Sequence, residues 1–309
     1  MSEGAPTPRW THDLCVVWAW EHDADFVALL EAACTVRGLR VALVGPDEWR
    51  DLPARLDSGA LRPRALLDRI WDWGDEYTAH LPAVERSGTR VINPYPLVRR
   101  IWNKPTMHWE LIGHGLRAPN LVILPAYNRD PGLGVFDPAQ LKILGSEYSV
   151  KGAHSGGSGV LKPVTSWEQV LRLRREWPDD ETLVQDWLRP RQLGNRRAWW
   201  RVFYAFGRTF PCWADDVTHR QAPLSPRDEA RYALGALRAT TQQLAGLCGL
   251  RLFSTEIALS ENGIWQCVDY VNEPCDFRLK SHAVNGVPDE TVRQICAALA
   301  GWLARAAGS

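Results

Sequence analysis

Lysine is scarce in this chain: of 36 basic residues only five are lysine, at positions 104, 142, 151, 162 and 280. A lysine kept against that bias marks a place where a compact point charge suits better than a planar guanidinium. Net charge is missing too, because 36 basic residues balance 36 acidic ones. Without a net field the chain does not gather nucleic acid or an anionic membrane by charge, so neither is expected as a partner. The seven cysteines (15, 34, 212, 248, 267, 275 and 296) form no C-x-x-C pair and no His/Cys set at zinc spacing, and read as reduced, buried thiols. No apolar run approaches the ~18 residues that cross a bilayer, and residues 1–10 are polar with prolines, unlike a signal peptide. A cytoplasmic protein is expected. No internal repeat, low-complexity tract or G-x-x-x-x-G-K-[ST] loop occurs.

What is present belongs to a globular protein of roughly two domains: 309 residues, 45% apolar and 23% charged. Sixteen tryptophans are read as packing. Over the first hundred residues, apolar strand-like runs at 14–20, 39–44, 65–71 and 90–92 alternate with helical spacing at 26–37 and 77–86. That alternation predicts an α/β fold with a parallel sheet and crossover helices. Further on, a helix is expected over 98–115, an extended run over 116–124 and a loop over 128–134. A capping box at Ser166 and Gln169 starts a helix, and a strand follows at 182–188. A hairpin over 198–214, a helix over 225–249 opened by Ser225-Pro226, a second hairpin over 252–272 and an amphipathic helix over 289–306 complete the chain.

The second hairpin is the most informative segment. Asn262-Gly263 between two apolar runs signals a two-residue type I′ turn, which sets Glu256 directly opposite Asp269. Strict alternation then puts Phe253, Ile257, Leu259, Ile264, Val268 and Tyr270 on a core face, and Ser254, Glu256, Ala258, Ser260, Cys267 and Asp269 on the other. Two carboxylates ~5 Å apart repel by roughly 3 kcal/mol at an effective dielectric of 20. A divalent cation between them removes that repulsion, and oxygen ligands suit Mg²⁺. Solvation of both acids, or an arginine paired with one, are the alternatives. Upstream, Lys151 precedes a loop with Gly152, Gly156, Gly157 and Gly159. Such a loop can turn backbone N–H groups toward phosphate oxygens while the lysine supplies charge; an ordinary flexible hairpin loop is the alternative.

Taken together, these segments resemble the ATP-grasp superfamily, in family order and over most of the chain. The resemblance implies a Rossmann-like parallel-sheet N-terminal domain over residues 1–103 and a two-part α+β ATP-grasp module. Its central subdomain, with the glycine-rich lid, spans 104–188, and its C-terminal subdomain, with the metal site, spans 189–309. It implies that Lys104, Lys151, Gly156, Gly157 and Ser158 hold the phosphates of ATP, and that Gln185, Asp186 and Leu188 line the adenine, with Gln185 or, one residue on, Asp186 at its edge. It implies Glu256, Asp269 and Asn272 as ligands of Mg²⁺. The family's acid-x-Asn is Asp269-Tyr270-Val271-Asn272 here, so either a bulge brings Asn272 to the metal side or Asn272 is no ligand. Arg201 resembles an arginine facing the phosphoryl-transfer centre, and Arg69 one on an N-terminal-domain strand that meets substrate. His219 and Arg220 lie on a polar loop that could reach phosphates or substrate, and Arg278 and Lys280 could hold a substrate carboxylate. The activity implied is ligation of a small-molecule or peptide carboxylate to an amine through an acyl phosphate, with release of ADP. Phosphorylation of a hydroxyl and non-catalytic nucleotide binding are the alternatives. Homodimers are common in the family.

Overall fold

The computed structural model describes residues 10–134, 136–154 and 163–307. Strands β1 (His12–Val17), β2 (Val41–Val44), β3 (Pro63–Asp68) and β4 (Arg90–Ile92) form a parallel sheet in the order β2-β1-β3-β4. Helices α1 (Ala24–Thr35), α2 (Leu52–Asp57) and α3 (Leu81–Ser87) connect them. Both faces of this sheet are buried: Leu14 and Val16 enter one core, Cys15 and Val17 another. The expected run at 65–71 ends at Asp68 because its Oδ1 accepts from the backbone N–H of Ile70 (3.0 Å) and Trp71 (3.2 Å) and turns the chain.

The helix expected over 98–115 is two helices, α4 (Tyr95–Trp102) and α5 (Lys104–Gly113). Asn103 is extended, its side chain accepts from the N–H of Thr106 at 2.8 Å, and Pro105 sits in the new first turn. That break places Lys104 at the start of α5. Strands β5 (Leu121–Leu124), β6 (Tyr148–Gly152) and β7 (Thr182–Asp186) make an antiparallel sheet ordered β5-β7-β6. It packs on α6 (Trp167–Arg174), which carries the expected capping box.

After the short ladder β8 (Gln192–Leu193) and β9 (Arg196–Arg197) come β10 (Trp199–Ala205), β11 (Arg208–Ala214), β12 (Gln221–Pro223), β13 (Leu252–Leu259) and β14 (Trp265–Asn272). These last five form an antiparallel sheet ordered β12-β11-β10-β13-β14. The helix expected over 225–249 is split into α7 (Pro226–Arg231) and α8 (Gly235–Cys248), with Ala233 at φ 53° between them. The closing helix α9 (Asp289–Ala307) returns to the N-terminal sheet. Its Val292, Ile295, Leu299 and Leu303 share one core with Leu14, Phe26 and Leu30, and with Phe203 of β10. All seven cysteines are buried and unbridged. Among the described residues, no helix is long and apolar enough to cross a membrane.

Beside this shared core sits Arg69, buried, with Nε donating to Asp23 Oδ2 at 3.0 Å, Nη2 to Asp23 Oδ1 at 2.5 Å and Nη2 to the Cys275 carbonyl at 2.9 Å. Its guanidinium lies beside the stacked rings of Phe26 and Phe277, 5.3 and 5.4 Å from their centroids. Arg69 thus joins α1 to the segment after β14. Removing one partner of a buried ion pair strands the other. Arg69→Met is therefore expected to lower unfolding free energy by about 3–5 kcal/mol; denaturant melts that coincide with wild type would contradict this role.

Candidate active site

The site is built on the β13–β14 hairpin, and its register departs from strict alternation twice. The turn is not the two-residue type I′ expected. Ser260 N–H donates to the Ile264 carbonyl at 2.9 Å, and Gly263, at φ 78°, occupies the left-handed position of a three-residue loop. Near the turn Leu259 pairs with Trp265 and Ile257 with Cys267; at the acids Glu256 pairs with Asp269; beyond them Ser254 pairs with Asn272. Each shift inserts one residue into β14.

The first bulge leaves Val268 without a partner and corrects the expected faces. Cys267 joins Ile257 and Tyr270 in the core, whereas Val268 is only half-buried. Its carbonyl accepts instead from Lys151 Nζ of β6 at 3.3 Å. The second bulge decides the question left open by Asp-x-x-Asn: Asn272 returns to the side of Asp269, across from Ser254. Glu256, Asp269 and Asn272 all line one cavity of about 510 Å³, with Lys104, His154, Arg201, His219 and Arg278.

Glu256 has a second neighbour, because β13 lies between β14 and β10, where Arg201 is its register partner. Arg201 Nη2 donates to Glu256 Oε1, Nη1 donates to Ser254 Oγ at 3.1 Å, and Trp199 Nε1 donates to Glu256 Oε2 at 3.2 Å. Arg201, Glu256 and Asp269 thus form a row across three strands. Burial alone would raise the Asp269 pKa, yet Lys151, Lys104 and Arg201 hold it below the ordinary carboxylate value. Burial in turn lowers both lysines, against the pull of Asp269. With three cations beside two carboxylates, the acids need no metal to relieve their repulsion. The expectation that the pair by itself demands a divalent ion is corrected on that ground: the arginine alternative is the one present. Among the described residues no group of three or more His, Cys, Asp or Glu side chains is placed to hold a metal.

The remaining sequence candidates divide. Gly156, Gly157 and Ser158 lie outside the described residues. Gln185 is buried, donates Nε2 to the Tyr270 hydroxyl at 2.9 Å and does not itself line the main cavity. Asp186, half-buried, accepts from Asn120 Nδ2 at 3.2 Å, while its buried Oδ1 has no partner among the described residues. Burial raises its pKa. Leu188 is half-buried just beyond β7. Arg69 does not line this cavity; it stands in the wall of a smaller recess beside it, with Nε and Nη2 already engaged by Asp23 and the Cys275 carbonyl, which makes it a structural ion pair there and not a free ligand for a substrate carboxylate. His219 is exposed at the rim on a turn where it takes φ 57°, and Arg220 follows it outside the lining. Arg278 lines the cavity but pairs with Asp276 at 2.6 Å, and Lys280 Nζ donates to the Gln221 carbonyl.

Sequence reading missed Trp199, Ser254 and the chain behind the lysine. There Tyr270, on the β14 bulge, contacts Gln185 and the Nδ1 of buried His108 (2.7 Å), and Lys151 sits over its ring at 5.7 Å. Only Trp199-x-Arg201, two polar-tipped residues on one strand face, carried a signal. Burial first, and Lys151 second, lower the His108 pKa from 6.5 to about 4. The unfolded chain therefore binds a proton near pH 6.5 that the folded protein refuses until about pH 4. Stability from this group is complete above pH 6.5 and lost as pH falls toward 4, on the order of 3 kcal/mol. The gap in unfolding free energy between wild type and His108→Gln should shrink by about that amount from pH 7.5 to 4.5; a gap independent of pH would show that His108 is not held neutral.

No protein-family profile and no curated protein matches the sequence. Solved structures do match, over nearly the whole chain. A complex of the ATP-grasp ligase PsnB with a minimal precursor, Mg and ADP is 18% identical, with 97% of this chain and 100% of that one covered and a TM-score of 0.62. D-alanine–D-alanine ligase from Bacillus anthracis complexed with ATP is 10% identical, over 95% and 98% of the two chains, at a TM-score of 0.64. D-cycloserine synthetase DcsG is 19% identical, over 94% and 99%, at 0.58. The chain has the ATP-grasp fold, with its parallel N-terminal sheet and antiparallel sheets.

Proposed function

We propose that this chain is an ATP- and Mg²⁺-dependent ligase that activates a carboxylate as an acyl phosphate and passes it to an amine, releasing ADP and phosphate. The observation that carries this reading is the cluster around Asp269. Lys151, Lys104 and Arg201 act there on Asp269 and Glu256, three cations to two carboxylates, so this corner of a cavity otherwise rich in acids is short of negative charge. A triphosphate supplies it. Lys104 at the start of α5 and Lys151 on β6 reach Asp269 from two elements, positions from which they would bind phosphate oxygens.

Glu256, Asp269 and Asn272 offer only oxygen donors for a hard cation. Their side chains, aligned by the second bulge, fit Mg²⁺ that arrives with the nucleotide, since Mg²⁺ takes one or two carboxylates plus substrate phosphates. Bound there, the ion would draw charge from the transferring phosphoryl group. Arg201 would release Glu256 in part and meet the charge that develops on transfer. Asp186 Oδ1, the orphaned acceptor beyond the lysine strand, suits the exocyclic amine of adenine better than Gln185, whose amide is already engaged. Small-molecule or peptide carboxylates and amines are the substrate classes. The solved ligases of this fold named above include one bound to a precursor peptide, which is consistent with either.

Three outcomes follow from the charge argument. Isothermal titration of Mg²⁺ into the protein alone should give millimolar or weaker binding, tightening about ten-fold or more once ATP is present; tight binding without nucleotide would contradict the compensated row. Asp269→Asn should lower ADP release by about 10²-fold or more with the melt unchanged, and full activity would remove Asp269 from the site. With hydroxylamine as the amine, a carboxylate substrate should yield a hydroxamate; ADP release without hydroxamate, and a phosphorylated alcohol in its place, would make the protein a kinase.

A further inference from the structure

The active-site cavity continues, on its N-terminal-domain side, into a recess of about 110 Å³ between the loop after β1, the loop after β3 and the segment after β14. Asp72, Pro274 and Asp276 line both spaces, so the recess opens into the cavity. Its charged walls cancel in pairs. Asp23 is held by Arg69 at 2.5 Å, and Asp276 by Arg278 at 2.6 Å. One carboxylate remains without an ion pair among the described residues: Asp72, at the junction. Two indoles flank it. Trp73 is 44% exposed, with Tyr77 against its edge at 5.6 Å, and Trp20 already carries a cation on its ring, the Arg278 guanidinium at 5.5 Å.

We infer that this recess is the subsite for a cationic amine, the second substrate of the ligation, with Asp72 as counter-ion and Trp20 and Trp73 as the aromatic walls. The inference rests on the ligase reading for the identity of the amine as a substrate. A carboxylate is repelled here by an unpaired acid, and is better matched to the cations around Asp269. An ammonium gains an ion pair with Asp72 and a quadrupole contact with an indole face. Asp72 is exposed, yet partial enclosure of its carboxyl at the recess, against the pull of the Arg69 charge, pushes it up to about 6. It is therefore ionised at neutral pH while lacking a strong partner. The volume admits a head group of a few heavy atoms, so a larger amine would keep its body in the main cavity.

Equilibrium titration of benzylammonium, with benzyl alcohol as its neutral counterpart, tests the subsite on the whole protein. MgATP is titrated into each variant in parallel. Wild type should bind benzylammonium saturably and benzyl alcohol about ten-fold more weakly or less. Asp72→Asn should abolish that preference, and Trp73→Ala should weaken both ligands, while MgATP affinity stays as in wild type for both variants. Equal binding of the two ligands by wild type, or a preference that survives in Asp72→Asn, would overturn the inference. Should MgATP fail to bind wild type while the Asp72-dependent preference holds, the ligase reading falls and the cation site stands.

Discussion

The pairing of β13 with β14, and the two residues it displaces, fix the rest of the site. A strand that alternated regularly would point Asp269 and Asn272 to opposite faces and bury Val268 in place of Cys267. The inserted residues instead bring Asn272 to the acid side and send Cys267 into the core. The carbonyl of Val268 is left to hold Lys151. One local irregularity therefore sets the oxygen donors and ties the three-stranded sheet, which carries the lysine, to the five-stranded one.

Charge balance follows from that geometry. Glu256 sits between Arg201 and Asp269 because its strand lies between theirs, and the lysines close on Asp269 from α5 and β6. The row is stable without ligand because every carboxylate has a cation beside it. The surplus positive charge around Asp269 makes that corner receptive to a polyphosphate, and the anion in turn makes the oxygen donors receptive to a metal. In the recess, the cancelled pairs Asp23–Arg69 and Asp276–Arg278 leave Asp72 as the carboxylate without an ion pair among the described residues. Three cations around Asp269 and an acid without an ion pair in the recess suit a reaction that brings an anion and an amine together.

Much of this was legible in the residues. The strand–helix alternation of the first hundred positions carries the parallel sheet, and the Ser166 capping box carries α6. Asp-x-x-Asn raised the question of a bulge but left it open against an Asn272 that is no ligand, and the register of β13 with β14 decides it. The Glu256–Asp269 pairing came out right through an error that cancelled: the turn is one residue longer than Asn262-Gly263 alone indicates, and the first bulge restores the register. Other features depend on contacts distant in sequence. Arg69 reads equally as a substrate ligand or a structural ion pair until Asp23 and Cys275 are seen around it. The breaks at Asn103 and Ala233 depend on local capping and backbone geometry that helical spacing does not report.

The central claim is that the bulged hairpin presents Glu256, Asp269 and Asn272 together to a nucleotide-bound metal. A crystal structure with Mn²⁺ and a non-hydrolysable ATP analogue tests it most directly, through the anomalous signal of the metal. The expected result is a peak within about 2.0–2.3 Å of side-chain oxygens from all three residues and of phosphate oxygens, with Arg201 turned toward the γ-phosphate. Mn²⁺ bound to phosphates alone, with Glu256 still closed on Arg201 and Asn272 turned away, would contradict it.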